Sequence, residues 1–287
     1  MERSTGAFRI GWSFRFRIRR KRRLTIDVAE DWWQELFDEL YLQTDARSVC
    51  DETLTLKEVD FLEKTLDLSA SIDGAAPILD LCGGQGRHAL ELASRGYTDL
   101  TVLDYSACLI DLGRQKACAD SLNVAFIQGD ARSTGLPART YRYIIIMGSS
   151  FGYFADEAEN CKILIEARRL LAPEGVLLLD LPDKTYVTQY FKPASVHRIN
   201  SDLEVRRSRK LEEDIIFSRE IVISDAHGRL RDHTYCTRLY SPDQITLLLR
   251  ANKFDTVDFQ TDFMCRKGEA DYGTMTNRMI VKAKKAA

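Results

Sequence analysis

Three acids, Asp80, Asp104 and Asp130, close three successive apolar runs that read as strands. The runs are Pro77-Ile-Leu-Asp-Leu-Cys82, Leu100-Thr-Val-Leu-Asp104 and Val124-Ala-Phe-Ile-Gln128, the last followed by Gly129-Asp130. Behind the first run comes Gly83-Gly-Gln-Gly86. A glycine turn there lets a ligand approach the backbone, and the helix that follows presents unpaired N–H groups. A carboxylate at the end of the second strand can accept both hydroxyls of a ribose. A carboxylate and the neighbouring backbone at the end of the third can read the edge of an adenine. Three acids in one row repel a phosphate and suit a cationic ligand rich in hydroxyl and amine groups.

The elements that must position these acids alternate along residues 77–180. Helices are expected at His88–Arg95, Leu109–Ser121 and Glu157–Leu171, a fourth strand at Tyr143–Met147, and a fifth at Val176–Asp180 after a turn over Ala172–Gly175. Continuous apolar strands alternating with amphipathic helices describe a parallel sheet covered on both faces. Residues 195–240 change character and read as an antiparallel meander, with a hairpin turn at Asp225-Ala-His-Gly228. A helix capped by Ser241, with Pro242 at its first position and Gln244 completing a capping box, restores the α/β pattern. Thr256–Phe259 and Met279–Lys282 supply closing strands. Upstream, residues 27–42 read as one helix capped by Asp27, and Leu56–Leu68 as another.

The chain has 287 residues and a formal charge of −2, with 41 basic and 43 acidic residues. That near-balance hides a basic head on an acidic body. Residues 1–25 hold nine basic side chains and one acid, so the remainder carries a charge of −10. Within the head, Phe8, Ile10, Trp12, Phe14, Phe16 and Ile18 alternate with polar and basic positions, as a strand would, before the run Arg19–Arg23. The head reads as a poorly ordered extension, an organellar targeting peptide, or an arm for nucleic acid or a membrane surface. No apolar run approaches the ~18–20 residues of a membrane span. The seven cysteines are odd in number and form no C-x-x-C pair. They read as buried free thiols of a reducing, cytoplasmic compartment, with no metal site.

With Asp80-Leu-Cys-Gly-Gly-Gln-Gly86, Val102-Leu-Asp104, Asp130-Ala131 and Tyr143–Met147 in this order and spacing, the chain resembles the class I S-adenosylmethionine-dependent methyltransferases. The resemblance spans about residues 28–285. It implies a seven-stranded, mostly parallel Rossmann-like sheet whose last strand is reversed, with an antiparallel β insertion. It also implies S-adenosyl-L-methionine as cofactor. Asp80 and the loop through Cys82, Gly84 and Gly86 would face the methionine end, Asp104 would hold the ribose, and Tyr105 would lie beside the adenine. Asp130 would bond the adenine amino group and Ala131 its ring nitrogen, while Met147 and Gly148 would lie beside the methionine moiety. Cys82 stands where many members have glycine.

Gly148-Ser-Ser-Phe-Gly-Tyr153 is similar to the corresponding segment of small-molecule N-methyltransferases of the glycine/sarcosine type. The resemblance therefore implies a small-molecule methyl acceptor, with Ser150 and Tyr153 as catalytic candidates. Tyr41 and Arg47 are expected over the cofactor, Arg47 pairing with its carboxylate. Asp183, Arg238 and Tyr240 are further pocket candidates. The expected organisation is a basic extension over residues 1–26 and a methyltransferase domain over 27–287, with a helical lid at 27–68 and an insertion at about 184–240. Two other readings stay open: an RNA or protein methyltransferase that uses the basic arm, and a protein that binds the cofactor without turnover.

Overall fold

The computed structural model describes residues 26–68, 75–260 and 276–285. The basic head and Cys265 lie outside them. The strand expectations hold closely. β1 (Ile78–Leu81), β2 (Leu100–Asp104), β3 (Ala125–Gln128), β4 (Tyr141–Ile146), β5 (Leu171–Pro182), β10 (Phe254–Gln260) and β11 (Arg278–Lys285) form one seven-stranded sheet in the order β10-β11-β5-β4-β1-β2-β3. β11 runs antiparallel to both its neighbours, and the remaining pairs are parallel. The expected turn over residues 172–175 is an interruption within β5: its pairing with β4 jumps from Leu171 to Val176, and Glu174 takes a positive φ.

Alternation along the central strands divides the core. Leu79, Leu81, Ile144, Ile146, Leu177 and Leu179 pack with residues of α7 (Glu157–Leu170) and α9 (Pro242–Ala251). Ile78, Tyr143, Ile145, Leu178 and Ile280 pack with Val59, Leu62 and Leu66 of α4 (Glu52–Leu66). The second set turns polar toward the carboxyl ends of the parallel strands. Ile78 is followed two residues on by Asp80, Leu178 by Asp180, and Ile280 is preceded by Arg278. Since alternate residues share a face, the charged groups stand on the side of the sheet that α4 covers.

A second sheet is inserted after β5 and the short helix α8 (Lys184–Gln189). It comprises β6 (Ala194–Arg198), β7 (Leu203–Glu212), β8 (Ile215–Ser224) and β9 (Gly228–Arg238), joined antiparallel in sequence order. The expected capping box at Ser241 and Gln244 is formed.

The amino-terminal helix departs from expectation. The helix expected over 27–42 is broken into α1 (Trp33–Leu36) and α2 (Glu39–Thr44), and the short α3 (Ala46–Val49) follows. Phe37 leaves helical geometry, and the Asp38 carboxylate caps the new start by accepting the Tyr41 N–H at 2.9 Å. A local side-chain cap thus outcompetes continued periodicity, and it turns the Trp32 and Phe37 rings onto Tyr153.

α5 (Arg87–Ser94) and α6 (Ala107–Ala119) follow β1 and β2. α6 approaches β3 closely at Gly113, where a Cβ would lie 2.3 Å from the Phe126 ring and 2.7 Å from the Gln85 carbonyl. Gly113→Ala is expected to destabilise the protein by about 1–3 kcal/mol through overpacking, read as a lower urea midpoint. An unchanged midpoint would show that Phe126 and the glycine loop give way freely.

Candidate functional site

A cleft of about 1180 Å³, counting space open to solvent, lies at the carboxyl ends of the parallel strands under α1–α3. Asp80, Cys82, Gly84, Asp104, Tyr105 and Asp130 all line it. So do Ala131, Met147, Gly148, Ser150, Tyr153 and Tyr41. Two expected residues differ. Gly86 caps α5 behind the wall, where its left-handed backbone packs against Phe126 and Val102 rather than the cleft. Arg47 lies on α3, and its side chain is outside the described ones.

The loop after β1 takes an unusual backbone. Cys82, Gly84 and Gly86 all have positive φ, 62°, 57° and 72°. Cys82 therefore occupies a left-handed position that glycine fills without strain, which gives a physical reason for the glycine common there. Gly83 is needed for a different reason: a Cβ there would lie 2.6 Å from the Asp80 carboxyl carbon.

Asp80 is 1% exposed, and among the described residues neither carboxylate oxygen has a hydrogen-bond partner. Burial pushes its pKa up to about 7, with Arg87 opposing the rise. His88 offers little help. Its Nδ1 is 3.8 Å from the Asp80 carboxylate and its Nε2 is 2.8 Å from Glu58. Burial, with Arg87 beside it, lowers the His88 pKa to about 4, so the ring is neutral at pH 7. A buried carboxylate with no donor of its own is costly unless a ligand supplies one.

Asp104 ties the strand ends to the loop. It accepts the Gly84 N–H at 2.8 Å and the Ser106 N–H at 2.9 Å, one on each oxygen. Burial raises its pKa despite those bonds. A carboxylate oxygen has room for a further donor, so hydroxyl recognition remains open to it.

Asp130 is differently placed than its position in the row suggests. Arg132 folds back and grips both its oxygens, with Nη2–Oδ2 at 2.6 Å. The same guanidinium bonds Glu159 at 2.7 Å and lies over the Trp33 and Phe154 rings at 4.9 and 4.8 Å. Burial alone would raise the Asp130 pKa, but the Arg132 bonds hold it below the usual range. Trp33 also meets Tyr105 edge-on at 4.5 Å. A cation and an indole thus wall this end, a pairing that neither residue's local pattern revealed.

At the other end, Ser150 Oγ donates to the Met147 carbonyl at 2.9 Å. Tyr153 stacks on Phe37 at 5.6 Å and touches Trp32. The loop carrying them is pinned at Gly152, whose carbonyl accepts the Arg238 N–H at 2.7 Å; a Cβ there would strike the Arg238 carbonyl. Asp183, Arg238 and Tyr240 do not line the cleft. Asp183 caps α8, Arg238 reaches the Ala155 carbonyl, and Tyr240 packs against Phe151 in the core. The cysteines are less buried than expected: of the described ones only Cys236 is buried, while Cys50 and Cys118 are exposed.

A charge cluster that sequence reasoning missed stands behind the wall. Arg278 binds Glu58 and, at 2.6 Å, Asp180; the same Asp180 oxygen accepts the Gly148 N–H at 2.8 Å. Arg87 also binds Glu58 and donates to Thr55 at 3.0 Å. Burial would raise the Glu58 pKa, but His88, Arg87 and Arg278 hold it well below the carboxylate range. Burial raises that of Asp180 to about 6, against the pull of Arg278.

Residues 78–175 match the methyltransferase domain family. The chain is 27% identical over 157 residues to a putative methyltransferase, YqeM, of Bacillus subtilis, covering 54% of this chain and 62% of that one. It is 33% identical over 109 residues to a glycine/sarcosine N-methyltransferase of Halorhodospira halochloris, covering 37% and 40%. The chain thus spans less than two thirds of the length of these relatives. Its fold matches a solved S-adenosylmethionine-dependent methyltransferase of Clostridium acetobutylicum with a TM-score of 0.69 at 16% identity, over 86% of this chain and 97% of that one.

The raised Asp80 pKa carries a stability consequence. A carboxyl group whose folded value exceeds its unfolded value stabilises the fold below about pH 4, and that contribution drains away as pH rises to about 7. Asp80→Asn removes the buried charge. It is expected to raise the melting temperature of the ligand-free protein by several degrees at pH 8 and to change it little at pH 4. Equal shifts at the two pH values would mean that packing, not ionisation, governs this site.

Proposed function

We propose that this chain, which is built on a class I S-adenosylmethionine-dependent methyltransferase domain, methylates a small-molecule acceptor. The observation that carries this reading is the buried Asp80 carboxylate, unpartnered beside a left-handed glycine turn. S-adenosylmethionine fits that vacancy in hydrogen bonding, because its ammonium group supplies the donors Asp80 lacks. When bound, it offers a sulfonium-activated methyl group that is open to in-line displacement.

The protein's own part is binding, orientation and exclusion of water. Asp80 accepts the ammonium, and the N–H groups and small side chains of the loop through Gly84 let the methionine end approach the backbone. Arg87 places a positive charge at that end, where the notional partner of Arg47 would also lie. Asp104 receives the ribose hydroxyls on the lone pairs left by its two backbone bonds. Tyr105 and Trp33 flank the adenine, Asp130 accepts from its amino group while anchored by Arg132, and Ala131 donates its N–H to the ring. Met147 and Gly148 border the methionine moiety, with the Gly148 N–H already fixed by Asp180.

Tyr153 and Ser150 stand on the acceptor side, with Tyr41 opposite on α2. The rings of Trp32, Phe37 and Tyr153 pack over this end. Such a covered, aromatic wall favours an acceptor that enters whole over a polymer that must thread through. It also keeps water from the activated methyl group.

Protein incubated with methyl-labelled S-adenosylmethionine and whole cell extract is expected to place the label in the fraction that passes a small-pore filter. Label confined to RNA or protein would overturn the small-molecule reading, and cofactor binding with no transfer would overturn catalysis. Asp104→Ala is expected to weaken S-adenosylhomocysteine binding by at least about tenfold in calorimetry, through loss of charge-assisted bonds. Unchanged affinity would remove Asp104 from the ribose site.

A further inference from the structure

We infer that His88 completes the ammonium site of the cofactor: its Nδ1 accepts one N–H of that group while Asp80 accepts another. The inference rests on the reading of this cleft as the S-adenosylmethionine site, and it adds a binding residue to that site.

Two buried acceptors stand side by side here with no donor between them. Asp80 lies on β1 and His88 at the start of α5, and both line the cleft at 1% and 3% exposure. Asp80 Oδ2 and His88 Nδ1 are 3.8 Å apart. Among the described residues neither Asp80 oxygen has a hydrogen-bond partner. The one hydrogen bond of the His88 ring uses the other nitrogen, Nε2, which meets Glu58 at 2.8 Å. A Cβ on Gly83 would lie 2.8 Å from the same Asp80 Oδ2, so the bare backbone there keeps that oxygen open to a close approach.

Glu58 decides what Nδ1 can do. Its Oε1 receives Arg278, and its Oε2 receives Arg87 and His88. Against the cost of burial, these partners hold the Glu58 carboxyl ionised, well below the carboxylate range. An ionised carboxylate only accepts, so the single proton of a neutral imidazole must sit on Nε2. The ring is neutral, because burial, with Arg87 beside it, lowers the His88 pKa to about 4. Nδ1 therefore carries a bare lone pair. At 3.8 Å the Asp80 carboxyl is too far away to satisfy it, even when protonated. Glu58 acts through His88 and is a positioning residue: it fixes the tautomer and aims the ring.

Such a pair selects its ligand group. A hydroxyl brings one proton and serves only one of the two acceptors. An anion brings none and is repelled by Asp80. An ammonium brings three N–H donors and the opposite charge, so it can serve both acceptors at once, and its bond to Asp80 is charge-assisted. Arg87 precedes His88 on α5 and also lines the cleft. An amino-acid group therefore meets its cation partner and its ammonium partners on adjacent residues of one helix.

Nitrogen NMR of protein labelled in its histidines provides the test. The chain has four histidines, and replacing His197, His227 and His233 by Gln leaves His88 as the sole ring. In the ligand-free protein at neutral pH the proton is expected on Nε2, with Nδ1 bare. Saturation with S-adenosylhomocysteine should move the Nδ1 resonance to a hydrogen-bonded position, and its desamino analogue should not. A proton on Nδ1, a still resonance in saturated protein, or the same movement with the desamino analogue would overturn the inference alone. Failure of S-adenosylhomocysteine to bind at all in calorimetry would overturn the cofactor reading and this inference with it.

His88→Leu gives a second measurement. It is expected to weaken S-adenosylhomocysteine at least about tenfold and to leave the desamino analogue within about threefold. Equal losses for the two ligands would show that His88 only packs behind the wall, and the binding role would fall.

Discussion

Arg278 holds two carboxylates out of water, and the cleft is organised around that fact. Glu58 comes from α4, Asp180 from the end of β5, and Arg278 from the start of β11, so one guanidinium joins the helical cap, the parallel sheet and its reversed strand. Glu58 is 0% exposed, Asp180 0% and Arg278 4%. Buried ions of this kind recover their desolvation cost only with close geometry on every side. Here the remaining valences are spent on the site: Asp180 fixes the Gly148 N–H, and Glu58 engages both His88 and Arg87. The cluster is thus a weak source of stability but a strong source of register. It sets where the first glycine turn and the loop after β4 stand relative to each other.

A second ionic seam performs the same task where α2 meets the inserted sheet. Arg207 and Arg231 of the insertion reach Asp45 and Asp38 of the cap, with Glu220 between the two arginines at 2.6 and 3.8 Å. The insertion sheet is therefore not a decoration hung from β5. It anchors α2 at two points, and α2 carries Tyr41 into the cleft. Cap, insertion and core meet over the strand ends, where these ion pairs stand beside the aromatic cluster of Trp32, Phe37, Tyr153 and Tyr235. Charged contacts demand defined partners, whereas apolar ones tolerate sliding. Precise placement is required at the strand ends, and charge is concentrated there.

The sequence made the strand-end acids legible because the signal is local. A run such as Ile78–Leu81 followed by Gly83 and Gly84 contains both the strand and the turn that aims its last side chains. The parallel core, the insertion and the capping box at Ser241 were legible for the same reason. What stayed hidden depends on side-chain partners that strand and helix patterns do not announce. Glu58 reads as one polar residue on an amphipathic helix, and nothing near it announces Arg278, 220 positions away. Asp130 looked free because its row suggested a common role, yet Arg132 two residues on turns back to grip it. The amino-terminal stripe reads as one helix because periodicity carries no information about Asp38 capping a fresh start. Tyr240 reads as a pocket candidate from the insertion, but it packs against Phe151 in the core.

The charge distribution acquires a physical sense from this arrangement. Asp80, Asp104, Glu58 and Asp180 gather behind and along one wall, and among the described residues Arg87 and Arg278 supply the arginine ion pairs there. The raised values at Asp80 and Asp180 are the signature of that deficit, since burial and mutual repulsion both favour the proton. A cationic ligand relieves the deficit in the same place that it is recognised. Its binding free energy is then partly the energy that the ligand-free fold stores in an under-compensated wall, and by linkage the folded state gains what the ligand releases. A wall fully neutralised by another arginine would be the more stable one, and it would have nothing left to offer a cation.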